Sequence, residues 1–252
     1  MHRDAFRKTP VVIPWGSKRF DPVYDAFVAQ GMGIRRDGIC GNSDGSETAR
    51  CLGRTLAVFE FYGAYAWMKE KGWWEGKRDS TGRGYRLADC VEKGAPSYVG
   101  PLDQGGSART QMIEEERPLV ERLANRMGYH FVIRRIGCPG SIRPGAPTPV
   151  DITWENLGVA PILIPCSVAY AVVSADGRTL DTCMASASRP ADWFPAKPAP
   201  ARDSIAFRGV PRGDHRLAIG ILRPGDTRPS IRLGIDTPMV EGWHILAPVT
   251  VR

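Results

Sequence analysis

The sequence is poor in the residue clusters that most enzyme chemistries need. Only four of its 252 residues are histidine. They are scattered as His2, His130, His215 and His244. The six cysteines, Cys40, Cys51, Cys90, Cys138, Cys166 and Cys183, form no C-x-x-C pair, and no Cys/His spacing resembles a zinc site. No metal and no cofactor is therefore expected. No glycine-rich phosphate loop follows a strand-like run, so a nucleotide-binding sheet has little support. No apolar run reaches the ~18 residues of a membrane span, and MHRDAFRKTP carries no apolar signal region. The net charge of +7 is spread without a block of basic residues. That pattern describes an arginine-rich solvated surface, and neither nucleic acid nor membrane is an expected partner.

What is present falls into two halves. Residues 1–128 alternate strand-like and helix-like runs. TPVVIP (9–14), GIRRDG (33–38), TLAVFEF (55–61) and PSYVG (96–100) read as buried strands. Helices are expected near 20–30, 47–53, 63–71, 86–94 and 109–127. Asp21, Pro22 and Gly31 supply the cap, first-turn and stop signals of the first. Four strand–helix units imply a parallel sheet with crossover helices. Their strands end in Trp15, Asp37, Glu60 and Tyr98 rather than in phosphate loops, which suits a barrel. A whole (β/α)₈ barrel takes ~250 residues, so four units make half of one. Residues 129–252 read as seven to eight alternating strands with no helix, as an immunoglobulin-like β-sandwich would. The expected fold class is thus α/β plus all-β: a partial (β/α)₈ barrel over 1–128, then a β-sandwich over 129–252.

The chemistry centres on TLAVFEFYG (55–63), where an apolar strand ends in Glu60 beside Phe61 and Tyr62. A carboxylate so placed, among aromatic rings, is how sugar-cleaving barrels present a catalytic group, and Glu60 is the catalytic candidate. Asp37 could bind sugar hydroxyls or orient Glu60; a salt bridge to Arg35 or Arg36 accounts for it equally well. Trp15, Tyr62 and Tyr98 could stack on sugar rings. Trp73 and Trp74 join them because they sit in a polar loop, whereas Trp67, inside a helix, is expected to pack. Asp103 and Gln104 follow the fourth strand and could line the rim. Trp154 falls at an inward position of an alternating strand. Cys40 with Cys51, or Cys166 with Cys183, could pair; six free thiols fit as well.

Three stretches carry a family resemblance: ANRMGYHFVIRR (124–135), DITWENLGVAPI (151–162) and LAIGILRPGDTRPSIRLGIDTPMVEGWHILAPVTV (217–251). Together they resemble the C-terminal portion of bacterial proteins with a glycosidase-like TIM barrel and a C-terminal β-sandwich of unknown function. The resemblance implies a clan A glycoside-hydrolase-like barrel. If the four strands correspond to the fifth to eighth, Glu60 takes the place of the nucleophile. The strands that would bring the acid/base are then missing, so the chain is expected to be a fragment with little or no turnover of its own. A retaining mechanism needs a second carboxyl ~5–5.5 Å away. Carbohydrate is the implied partner, and an open barrel edge would allow self-association. The alternative is a non-catalytic carbohydrate-binding or scaffolding protein. The full-length family looks extracellular or periplasmic; the location of this chain is left open.

Overall fold

The computed structural model describes residues 10–16, 21–100 and 106–252, the side chains of 106–109 excepted. The chain forms two compact units. One comprises Met1–Tyr129 with Gly158–Leu163, the other His130–Leu157 with Ile164–Arg252.

The first unit holds β1 (Val12–Pro14), α1 (Asp21–Ala29), β2 (Gly33–Ile39), a 3₁₀ turn (Ser46–Cys51) and β3 (Ala57–Phe61). It continues with α2 (Tyr65–Glu70), α3 (Leu87–Gly94), β4 (Tyr98–Val99), α4 (Gly106–Glu115) and α5 (Arg117–Ala124). The strands pair in parallel in the order β1-β2-β3-β4. Alternation along β3 divides its side chains: Ala57 and Phe59 are buried, while Val58 is half-buried and Glu60 exposed. Phe59 sits in a core with Tyr65, Met68, Trp74, Cys90 and Val91. Burying such a ring contributes about 2–3 kcal/mol. Two glycines let the chain close on it. A Cβ at Gly45 would lie 2.2 Å from the Phe59 ring, and one at Gly94 2.3 Å from it. The Thr48 hydroxyl joins these two positions, lying within hydrogen-bond distance of both carbonyl oxygens at 2.9 and 2.7 Å.

The second unit holds β5 (Phe131–Gly137), β6 (Ser141–Ile142), β7 (Thr148–Asn156), β8 (Ser167–Val173) and β9 (Thr179–Met184). After them come β10 (Ala199–Ile205), β11 (Gly213–Leu222), β12 (Met239–Val240) and β13 (Trp243–Val251). One sheet runs β10-β7-β5; the other runs β12-β13-β11-β8-β9, with β6 parallel to β13. Val168, Tyr170 and Val172 of β8 register with Ile221, Ile219 and Leu217 of β11 on one buried face. The opposite face is small: Ala169, Ala171 and Ala218 cluster with Val173, Leu222 and Trp243. Gly220 belongs there because Pro229 lies over it; a Cβ would meet the proline ring at 2.2 Å. The large sheet is therefore buried on both sides along β8 and β11.

A carboxylate holds the interior together. Asp203 of β10 is fully buried. It accepts from the Ala187 and Ser188 amides at 2.8 and 2.9 Å and from the Ser188 and Tyr170 hydroxyls at 2.6 and 2.9 Å. Trp154 Nε1 extends the chain by donating to Ser188 Oγ at 3.0 Å. Four donors replace the water that a buried carboxylate loses. Trp154 stacks on Trp193 at 4.3 Å. Asn156 accepts from His130 N and donates to the Trp193 carbonyl. The tryptophan–asparagine pair of β7 thus packs and pins its surroundings.

The expected fold class needs correction. The chain is mostly β with few helices, and the described residues do not make four complete βα units. β1 and β4 are only three and two residues long. The run expected as a helix at 47–53 is the 3₁₀ turn, entered from Gly45 in the left-handed region. The expected helix 109–127 is split before Pro118, whose ring has no amide to continue the ladder. A short apolar run does not set how many residues pair, and a helix-compatible composition does not separate an α-helix from a 3₁₀ turn. The immunoglobulin-like arrangement is not supported either. Neither expected cysteine pairing forms, and all six cysteines are free thiols. Cys183 registers with Tyr170 rather than approaching Cys166.

Two predictions concern the second unit. Asp203→Ala leaves four donors stranded and should cost about 3 kcal/mol, against about 1 kcal/mol for Tyr170→Phe. Urea unfolding followed by tryptophan fluorescence would measure both. The second concerns His244, which is buried, accepts from Leu233 N at 3.3 Å and faces Thr237 Oγ1 at 3.1 Å. Burial, then the charge of Arg232, holds its pKa below the ordinary value of 6.5. The unfolded chain therefore takes up the proton first as pH falls. The stability contributed by neutral His244 is complete above about pH 6.5 and is lost as pH falls through the lower folded value. Unfolding midpoints between pH 7 and pH 5 should drop more in wild type than in His244→Gln.

Candidate functional site

Backbone register brings one row of side chains to the open face of the parallel sheet. Pro14 pairs with Arg35, Arg35 with Val58, and Val58 with Tyr98, so the row crosses all four strands. Paired residues of parallel strands point to the same side. Opposite them, Ile34, Ala57 and Phe59 face the core. On the open side Tyr98 is 57% exposed. Parallel sheets normally carry cover on both faces; among the described residues of this unit, this face is left with charged and aromatic groups.

Arg35 organises the face. Its Nε lies 2.7 Å from Asp37 Oδ1 and 3.4 Å from Glu60 Oε2, and its Nη2 donates to Asp37 Oδ2 at 2.9 Å. Arg35 and Asp37 are two residues apart on β2 and share a side; Glu60 comes from the next strand. The hydrogen bond to Asp37, followed by the charges of Asp37 and Glu60, pushes the guanidinium pKa further up. All three side chains are close to half exposed. The face offers a fixed planar cation, two carboxylates and an exposed phenol within two strand spacings, about 10 Å.

Of the other expected site residues, Trp15 is buried, stacks on Tyr24 at 4.3 Å and lies under the Arg50 guanidinium. Tyr62 is half-buried. It stacks on Trp67 at 5.7 Å and meets the edge of Trp73 at 5.4 Å. Trp73 and Trp74 are 3% and 2% exposed, so the polar loop delivers both rings to packing and not to solvent. The roles of Trp67 and Trp73 are therefore exchanged: Trp67, expected to pack, is 39% exposed. Lys77 N donates to the Gly72 carbonyl and Gly84 N to the Gly41 carbonyl, which folds that loop inward. Asp103, with Gln104, lies outside the described residues. The structure thus brings Glu60 and Asp37 to one arginine, puts Tyr98 on the same face of the sheet, and sends Trp15, Trp73 and Trp74 into packing.

The residue that sequence reasoning passed over as a ligand group is Arg35. Its alternation with Asp37, both two-residue neighbours on a strand, was the available signal. A second pattern was also passed over. Gly41–Gly45 reads G-N-S-D-G, the spacing of a serine nucleophile elbow between strand and helix. Ser43, however, is buried, donates to Glu47 Oε2 at 2.8 Å and accepts from Gly45 N at 2.9 Å. Those bonds make it a turn residue. Among the described residues no group of three His, Cys, Asp or Glu could hold a metal ion. No described helix is long and apolar enough to cross a membrane.

No protein-family model and no curated protein matches the sequence. Solved structures share limited similarity. A CARDB domain from Pyrococcus furiosus is 13% identical over 49% of this chain and 93% of its own, with a TM-score of 0.27. AvmM, which catalyses macrocyclization in alchivemycin A biosynthesis, is 16% identical over 49% of this chain and 88% of its own, at 0.22. A β-glucosidase from Listeria innocua is 9% identical over 99% of this chain and 37% of its own, at 0.26. At such TM-scores the neighbours fix neither fold nor function.

The exposure of the Arg35 cluster sets an expectation for stability. Exposed ion pairs contribute about 0–1 kcal/mol, whereas emptying a core of a phenyl ring costs about 3–5 kcal/mol. Arg35→Met and Glu60→Gln should each shift the urea midpoint little, and Phe59→Ala should shift it severely. A large loss in Arg35→Met would mean that the cluster holds the fold rather than a ligand.

Proposed function

We propose that this chain binds carbohydrate on the open face of its parallel sheet without hydrolysing it. The observation that carries the reading is the exposed Arg35–Asp37–Glu60 cluster in register with the exposed ring of Tyr98. Sugar hydroxyls both donate and accept, and a fixed guanidinium flanked by carboxylates answers both needs. The C–H face of a pyranose packs on an exposed aromatic ring, and a tyrosine has only two side-chain torsions to fix. The span from Arg35 to Tyr98 suits one or two sugar units.

Hydrolysis is the less favoured reading because Arg35 occupies both carboxylates. A retaining pair needs one carboxyl free to attack and one protonated to release the leaving group. Here each has the same cation at its oxygens, and half-exposed side chains admit bulk water. The Glu60 nucleophile implied by the family resemblance thus becomes a hydrogen-bond acceptor for a hydroxyl.

Isothermal titration with cellohexaose, xylohexaose and maltohexaose tests the proposal. At least one should bind, and Arg35→Ala and Tyr98→Ala should each weaken it roughly tenfold, about 1.4 kcal/mol. Failure of all three to bind, or hydrolysis of an aryl glycoside that Glu60→Gln abolishes, would overturn it.

A further inference from the structure

Six of the seven tryptophans are buried: Trp15, Trp73, Trp74, Trp154, Trp193 and Trp243 are each no more than 8% exposed. Trp67, at 39%, is the exception. It is nevertheless held in place. Its ring stacks on Tyr62 at 5.7 Å with 17° between the planes, and Trp73 meets it edge-on at 5.2 Å. Gly63 lies against the same ring; a Cβ there would sit 3.2 Å from it. Tyr62 is fixed in turn. Its amide donates to the Ile39 carbonyl at 3.0 Å, so the pairing of β3 with β2 runs on to Tyr62. A Cβ at Gly41 would lie 2.4 Å from its ring, and Gly84 N holds the Gly41 carbonyl at 3.1 Å. The exposed Arg83 places its guanidinium 5.7 Å from the centre of the Tyr62 ring. A single apolar side chain on a surface needs no explanation. An exposed indole braced by two aromatic rings is a different object, because its orientation is set before any ligand arrives.

Its place extends the face that carries Arg35. Val58, Glu60 and Tyr62 succeed one another at two-residue spacing, which puts them on one side of an extended chain. Tyr98 stands beside Val58 in register, and Trp67 stacks on Tyr62. Among the described residues of this unit, Trp67 and Tyr98 are the large aromatic side chains left exposed, and they flank Glu60 from the two ends of this row. Tyr62 and Trp67 also follow the C-terminal end of β3, the end at which open parallel sheets bind ligands.

We propose that Trp67 is a second stacking platform of this face, which makes the ligand an extended neutral oligosaccharide rather than a mono- or disaccharide. The inference rests on the carbohydrate reading and adds the length of the chain that is bound. Val58 to Tyr62 spans about 13 Å of strand, which with the ring stack beyond it gives room for about four sugar units. Sugar rings at the two ends rest their C–H faces on Tyr98 and Trp67. The hydroxyls between them meet Arg35, Asp37 and Glu60, and Arg83 offers further donors beside Tyr62.

The test uses the intact protein and the di-, tetra- and hexasaccharides of the cello-, xylo- and malto- series. In a series that binds, affinity measured by isothermal titration should rise roughly tenfold from disaccharide to tetrasaccharide and then level off. Trp67→Ala should lower tetra- and hexasaccharide affinity roughly tenfold and leave the disaccharide unchanged, while Trp67→Tyr, which keeps a ring, should retain most of it. Because the other six tryptophans are buried, acrylamide quenching of the wild-type fluorescence reports on Trp67. Saturating hexasaccharide should remove most of that quenching, and this readout decides the matter even if Trp67→Ala does not fold. Equal affinity for every length, hexasaccharide affinity unchanged in Trp67→Ala, or undiminished quenching at saturation would overturn the proposal and leave the carbohydrate reading standing. Failure of every sugar to bind would overturn both.

Discussion

A parallel sheet that buries one face and, among the described residues of its unit, leaves the other open is the constraint on which the first unit depends. Alternation along β2 and β3 sends Ile34, Ala57 and Phe59 to the core and Arg35, Asp37, Val58 and Glu60 to the other side. The buried set supplies the stability. The open set is then free to be polar, provided its charges are balanced, and Arg35 balances two of them. The closeness of Gly45 and Gly94 to Phe59 serves the same end, since it fixes β3 from below and so fixes where Glu60 stands above.

The second unit solves its burial problem differently. Its larger sheet is covered on both faces, which requires small residues on one side and a folded-over segment that includes Pro229. The other side must accommodate a carboxylate. Asp203 without its four donors would be an uncompensated buried charge, so β8, β10 and the 187–188 turn are specified together.

Much of the secondary structure was legible because it follows period-2 and capping signals. The inward series Val150, Ile152, Trp154 and the series Leu217, Ile219, Ile221 are all buried. The content of the first half was misjudged for physical reasons. A short apolar run says nothing about how many residues pair on both sides, so β1 and β4 were read too long. Gly45 and Pro118, each visible in the sequence, go with a 3₁₀ turn in place of the helix expected at 47–53 and with the split of the one expected at 109–127 into two α-helices. For the site, Glu60, Asp37 and Tyr98 were legible as strand-end groups. The burial of Trp73 and Trp74 was not, because loop polarity is local while the inward fold of that loop rests on Gly41 and Gly72, distant in sequence or hidden in backbone bonds.

The functional account rests on the open face being a ligand surface, with Glu60 as an acceptor and not a nucleophile. The most direct measurement is a ¹H–¹⁵N titration of the intact protein with the same neutral hexasaccharides. The account predicts that the amides of Val58, Glu60 and Tyr98 and the Arg35 Nε–H shift together along one binding curve, with the sugar recovered unhydrolysed. No shift at these groups at saturation, shifts confined to other residues, or cleavage of the sugar would contradict it.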